Sequence, residues 1–100
     1  MSNLYAIKRF ASKTSGVTFS EVYADEQYKQ FKVTTPKFVV KISVQVASKK
    51  LGLILCVAGE TVLMTEVESQ KDAIQFITGR AEVLADTIIE RLQHEDRATV

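Results

Sequence analysis

Residues 37 to 46 alternate between apolar and polar side chains, which is the clearest pattern in the chain. One row of this segment is apolar and consists of Phe38, Val40, Ile42, Val44 and Val46. The other row is mostly polar and consists of Lys37, Val39, Lys41, Ser43 and Gln45. Because successive side chains of a strand point to opposite faces, this period of two predicts a strand with one face on a core.

The neighbouring segments predict further strands. Residues 4–10, 17–23 and 28–33 are rich in β-branched and aromatic residues and are separated by polar turns. Residues 51–57 and the segment after Gly59 complete a sheet of about five to six strands. These strands follow one another with short connections, which favours an antiparallel order.

A tight turn is expected between the last two strands, at Ala58-Gly59-Glu60-Thr61. Gly59 fits the position of a type II′ turn that needs a positive φ angle. This register would place two pairs on the core side, Val57 with Val62 and Leu55 with Met64. It would place one pair, Cys56 with Leu63, on the opposite side.

From Ser69 onward the apolar period changes to that of a helix. The segment Ser69-Gln70-Lys71-Asp72 resembles a capping box. Apolar residues then recur every three or four positions, at Ala73, Ile74, Ile77, Ala81, Leu84, Ile88 and Leu92. The pattern predicts one helix of about 25 residues. Gly79 lies in its interior, where it costs about 1 kcal/mol relative to alanine and marks either a kink or a close backbone contact.

Strands followed by one long helix predict an α+β fold, an antiparallel β-meander with the C-terminal helix packed on one sheet face. The chain has 100 residues, so we expect one domain over residues 1–94 and a disordered tail over residues 95–100. The single cysteine, Cys56, excludes an internal disulfide. Together with an N-terminus that lacks the features of a signal peptide, this predicts a cytoplasmic location.

The side chains that could carry catalysis are few. His94 is the only histidine and Cys56 the only cysteine. His94 stands near the expected helix end, where a histidine usually interacts with the helix C-terminus. A zinc pattern and a glycine-rich phosphate loop are both missing from the sequence. The sequence therefore predicts no catalytic residues, no metal site, no cofactor and no enzymatic activity.

Charge is almost balanced overall but is divided along the chain. The net charge is +1, yet residues 1–50 carry nine basic and three acidic side chains, a net of +6. Residues 51–100 carry four basic and nine acidic side chains, a net of −5. This division predicts a molecule with a basic side and an acidic side, which can attract an anionic partner or a second copy.

The first functional hypothesis is a small protein-interaction module of the inhibitor, immunity or adaptor type, acting through its sheet face, its helix or both. Apolar residues outside the expected core predict the partner-binding surface, namely Val39, Ile54, Leu63, Phe76 and Val83. The same surplus of apolar positions predicts a homodimer. The helix also carries a ridge of acids four residues apart, Glu82, Asp86 and Glu90, which is either a solvated face or a docking site for a basic partner.

The alternative hypothesis is a single-stranded nucleic-acid-binding protein. Its binding residues would come from a segment that interleaves aromatic rings with lysines, namely Tyr28, Lys29, Phe31, Lys32, Lys37 and Lys41. Aromatic rings stack on bases and lysines neutralise phosphates. The scarcity of arginine in this segment argues against tight phosphate recognition. Membrane insertion is not expected, since no apolar run approaches the roughly 20 residues that span a bilayer.

Overall fold

Five strands and three helices make up the chain in a computed structural model that describes residues 4–98, with side chains as far as residue 94. In chain order they are α1 (Tyr5–Lys13), β1 (Thr18–Ala24), β2 (Tyr28–Thr34), β3 (Val39–Gln45), β4 (Leu51–Val57), β5 (Glu60–Val67), α2 (Gln70–Thr78) and α3 (Arg80–Ala98). The strands form one antiparallel sheet in the order in which they occur. The predicted α+β class, with an antiparallel meander followed by a C-terminal helical segment, is confirmed.

The sheet has an inner face, which the three helices cover, and an outer face on its other side. The alternation predicted in β3 is confirmed, because its inner row is buried and Lys41 and Gln45 are exposed. Val46 follows the last residue of β3 and is exposed, so it lies outside the core. The buried residues of the inner face are Phe31, Val33, Phe38, Val40, Ile42, Val44, Leu51, Leu53, Leu55 and Val57. Full burial of one such side chain stabilises the fold by about 1.5–3 kcal/mol.

The strand predicted at residues 4–10 is wrong, since this segment lies in the helix α1. Leu4, Ile7 and Ala11 are buried, at the spacing of three and four that lines one face of a helix. The side-chain Oε1 of Gln70 accepts hydrogen bonds from the backbone N–H groups of Ala6 (2.9 Å) and Ile7 (3.2 Å). These N–H groups in the first turn have no partner within the helix. A residue distant in sequence therefore helps to cap α1, and local propensity does not reveal it.

The turn between β4 and β5 begins one residue earlier than predicted. Its central residues are Ala58 and Gly59, with φ angles of 54° and 82°. Two positive φ angles are typical of a type I′ turn rather than the predicted type II′ turn. Alanine is uncommon at positive φ, which is why the sequence favoured the later position.

The earlier turn and a bulge next to Cys56 together change the pairing of β4 with β5. Leu55 lies opposite Leu63 and Ile54 opposite Met64, beyond a bulge next to Cys56. The three predicted pairs are therefore wrong. Because side chains alternate, Leu63 belongs to the inner face and Met64 to the outer face.

The C-terminal helical segment is bent at Gly79, which separates α2 from α3. Gly79 has φ −118° and ψ −87°, and a Cβ atom there would lie 3.0 Å from the carbonyl oxygen of Gln75. The predicted N-terminus is confirmed, since the backbone N–H of Asp72 donates to the Ser69 hydroxyl (3.1 Å). The helix α3 extends to Ala98, and the disordered tail expected over residues 95–100 stays a prediction. Residues 99 and 100 lie outside the described residues.

Candidate protein-interaction surface

The outer face of the sheet is left uncovered by the described helices, all of which contribute to the core on the inner face. Register pairs align its side chains in rows across the strands. The central row consists of Ser20, Lys32, Lys41, Ile54 and Met64. Along this row the surface changes from polar to basic and then to apolar.

The basic part of the row is a pair of lysines directly opposite each other, Lys32 on β2 and Lys41 on β3. Like charges in this position repel each other and are unfavourable for strand pairing. Among residues 4–94, neither lysine forms an ion pair with a carboxylate. Two adjacent and uncompensated cations on an open sheet surface attract an anionic group.

The apolar part of the row continues into an exposed cluster on β3, β4 and β5, which we call the apolar patch. It consists of Val39, Ile54, Val62 and Met64. Met64 is 69 % exposed, Val62 is exposed, and Val39 and Ile54 are half-buried. Cys56 lies opposite Val39 and borders the patch. Exposed apolar clusters rimmed by polar side chains are typical of interaction sites.

An aromatic pair stands at one end of the outer face. The rings of Tyr23 and Tyr28 have centroids 5.9 Å apart, and the hydroxyls of Tyr28 and Ser43 are hydrogen-bonded at 3.1 Å. The Asp25 carboxylate accepts hydrogen bonds from the backbone N–H groups of Gln27 (2.9 Å) and Tyr28 (2.8 Å) and from the Tyr23 hydroxyl (2.8 Å). These bonds, that of Gln27 foremost, lower the pKa of Asp25, and the bond to Asp25 raises the pKa of Tyr23. They fix both tyrosines relative to the β1–β2 turn.

The structure brings together only part of the predicted partner-binding surface. Val39 and Ile54 are neighbours in the apolar patch, whereas Leu63 lies on the inner face. Phe76 is only 8 % exposed and belongs to the core, while Val83 on α3 is exposed. Phe76 and Val83 therefore do not share one surface. The bend between α2 and α3 interrupts the helical period that would relate two residues seven positions apart.

The acidic ridge of α3 makes an internal contact. Lys37, in the connection between β2 and β3, places its Nζ atom 2.9 Å from Oδ1 of Asp86 and 3.5 Å from Oε2 of Glu82. Asp86 foremost, and then Glu82, raise the pKa of Lys37. Of the three acids in the ridge, Glu90 is exposed and forms no ion pair among the described side chains. Ion pairs within the molecule therefore neutralise part of the opposite charge that divides the two halves of the chain.

The predicted nucleic-acid-binding residues are divided between different surfaces. Tyr28, Lys32 and Lys41 share the outer face. Phe31 is buried and stacks on Phe19 with ring centroids 5.3 Å apart. Lys29 occupies the inner row, opposite Val44, and Lys37 contacts α3. A strand presents alternate residues to opposite faces, so a continuous basic segment cannot form one continuous basic surface.

Sequence reasoning missed three exposed residues of the outer face, Val62, Met64 and Tyr23. Val62 and Met64 were assigned to the core because the sequence gives no sign of the bulge next to Cys56, which exchanges the two faces of β5 beyond it. A bulge in β1 between Glu21 and Tyr23 changes the face on which Tyr23 lies. The strong alternation of β3 is the signal that could have placed Met64 on the outer face. Using it requires the correct alignment of β4 and β5 with β3.

Among the described residues, no cluster of three or more histidine, cysteine, aspartate or glutamate side chains is placed to hold a metal ion. Within the same residues, no helix has both the length and the apolar character needed to cross a membrane. Comparison with known protein families, curated proteins and solved structures finds no match for this chain.

Proposed function

We propose that the protein is a small, non-enzymatic interaction module that binds an acidic, amphipathic helix of a partner protein on its outer sheet face. One observation carries this proposal: the uncompensated pair Lys32 and Lys41 lies in the same row as the apolar side chains Ile54 and Met64. The finer role, as inhibitor, immunity protein or adaptor, depends on the partner.

The chemistry of the partner follows from the order of side chains in that row. Carboxylates on one side of a helix would pair with the lysines, while its apolar side chains would cover the apolar patch. Domains are built of packed layers, and helices commonly form the layer that covers a sheet. Amphipathic helices also dock on apolar surfaces through anchors at helical spacing. The charge pair mainly provides specificity and fast association, and the apolar contact provides affinity.

A designed peptide tests this proposal directly. The probe is a fluorescent amphipathic helix of about 18 residues, with leucines and one phenylalanine on one face and glutamates elsewhere. We expect it to bind the protein, and we expect the double variant Lys32→Glu, Lys41→Glu to bind at least about tenfold more weakly. Fluorescence anisotropy at about 0.15 M salt, where the Debye length is about 8 Å, measures both affinities.

The matched control is the double variant Lys8→Glu, Arg9→Glu. It changes the net charge by the same amount at exposed positions of α1, on the helical side of the sheet. Its affinity should stay within about twofold of the unaltered protein, since salt screens distant charges. Equal weakening by both double variants would show that only net charge matters and would contradict the proposed surface.

Binding of single-stranded nucleic acid is the second candidate, favoured by the proximity of Tyr23 and Tyr28 on the face that carries Lys32 and Lys41. Two lysines allow two phosphate contacts, so the log–log salt slope is expected to reach only about −1.4. Affinity for an oligonucleotide would then fall about sevenfold between ~50 and ~200 mM salt. We expect no measurable binding at the higher concentration, and submicromolar affinity there would favour this candidate over protein binding.

Self-association as a homodimer stays a prediction. Two of the residues that motivated it are now accounted for within the fold, since Phe76 lies in the core and Leu63 on the inner face. Ile54 and Val83 still offer apolar surface. The cytoplasmic location also stays a prediction and rests on the single cysteine.

A further inference from the structure

Gly52 lies in the middle of β4 on the outer face, opposite Ser43 on β3 and Glu66 on β5. Its φ angle is not in the positive range that favours glycine. A Cβ atom at this position would contact only Ser43, at 3.5 Å from its Cβ and 3.9 Å from its carbonyl oxygen. These are ordinary van der Waals distances, so the fold itself does not require a glycine here.

Glycine in a strand interior nevertheless weakens a sheet, because it loses much backbone freedom on folding and packs no side chain. Such a glycine often marks a position that another molecule approaches closely. The glycine at position 52 therefore lowers the stability of the domain, although the local backbone conformation does not require a glycine.

Gly52 lies on an open groove of about 580 Å³ on the outer face, and no side chain at this position fills it. Tyr28, Ile54 and Met64 line this groove, with Lys50 and Glu66 also beside it. The hydrogen bond between the hydroxyls of Tyr28 and Ser43 fixes one wall. Methionine is flexible and can adapt its shape to the group that it contacts, so Met64 provides an adjustable wall.

We propose that Gly52 forms the floor of an anchor pocket that receives one phenylalanine or leucine side chain from the acidic amphipathic helix of a partner. This inference rests on the proposed function and specifies where on the outer face the apolar anchor of the partner binds. A few apolar anchors in pockets carry most of the affinity of a typical interface. Ile54 joins the two sites, since it lines the groove and lies opposite Lys41 in the central row. Carboxylates one helical turn from the anchor can therefore reach the lysine pair.

The test replaces the glycine with a residue that strands favour. Gly52→Thr adds a β-branched side chain that fills the floor, and we expect it to raise the melting temperature by about 3–6 °C. Its affinity for the acidic helical probe should fall at least about tenfold, as measured by fluorescence anisotropy. The control Ala24→Thr adds a β-branched side chain at an exposed position of β1, opposite Lys29 of the inner row and so away from the outer face, and should leave affinity unchanged.

A second probe, in which alanine replaces the phenylalanine, identifies the anchor. It should bind the unaltered protein at least about tenfold more weakly, yet lose little further affinity with Gly52→Thr, because both changes remove the same contact. Independent, additive losses would overturn the anchor pocket.

Two further outcomes separate this inference from the proposed function. If Gly52→Thr binds the probe normally while Lys32→Glu with Lys41→Glu does not, the anchor pocket is wrong and the docking surface remains. If the unaltered protein does not bind the acidic probe at all, both are wrong. A fall in the melting temperature of Gly52→Thr would show that the fold needs this glycine and would overturn the inference.

Discussion

Replacing Ile42 with aspartate will leave the protein unfolded. Ile42 is 0 % exposed and lies in the inner row of the central strand β3, among other apolar side chains. A buried carboxylate without a partner costs several kcal/mol whether it stays ionised or is protonated. The whole domain is expected to be stable by about 5–15 kcal/mol, and the change also removes the burial of the isoleucine. Circular dichroism should show loss of the sheet and of the cooperative thermal transition.

The adjacent variant Lys41→Asp is its control. Lys41 is exposed on the outer face, where a carboxylate remains hydrated. It would also replace the repulsion between Lys32 and Lys41 with an attraction, so the fold should remain intact. Equal loss of structure in both variants would mean that the register of β3 is wrong by one residue.

Replacing Ile7 with alanine will destabilise the protein by about 2–5 kcal/mol. Ile7 is fully buried where α1 packs against the sheet and α2, so its loss leaves a cavity. For a domain of this size the melting temperature should fall by at least about 8 °C. Differential scanning calorimetry measures the change.

Tyr5→Ala distinguishes the helix from the strand that the sequence predicted. A strand would place Tyr5 and Ile7 on the same face, whereas in α1 Tyr5 is 68 % exposed. The Tyr5 variant should therefore change the stability by less than about 0.5 kcal/mol. Comparable losses from both substitutions would contradict the helical assignment of this segment.

The sequence predicted the central part of the fold because long alternating or helical patterns determine which side chains are buried. The inner row of β3 and the helix start at Ser69 follow from residues close together in sequence. The α1 segment could not be assigned in this way. Nine residues are too few for a stable isolated helix, and α1 relies on packing and on Gln70, which is 63 and 64 residues away from the N–H groups that it binds.

The candidate site was predicted less well than the fold, for a physical reason. A surface depends on how neighbouring strands are aligned, and one extra residue in a bulge exchanges the faces of the strand beyond it. The bulge next to Cys56 thus places Met64 on the outer face. Val39 and Ile54 were assigned correctly to this face because both belong to strands with a strong pattern of their own.

The bond between Gln70 and α1 has a consequence for the order of events during synthesis. Residues 4–13 leave the ribosome before the five strands, but the side chain that completes the first turn of their helix emerges after them. Until then the nascent meander exposes an apolar inner face that α1 alone cannot cover. Exposed apolar strands of this kind are prone to associate with other chains. The last third of the chain therefore determines when the nascent protein is protected from aggregation.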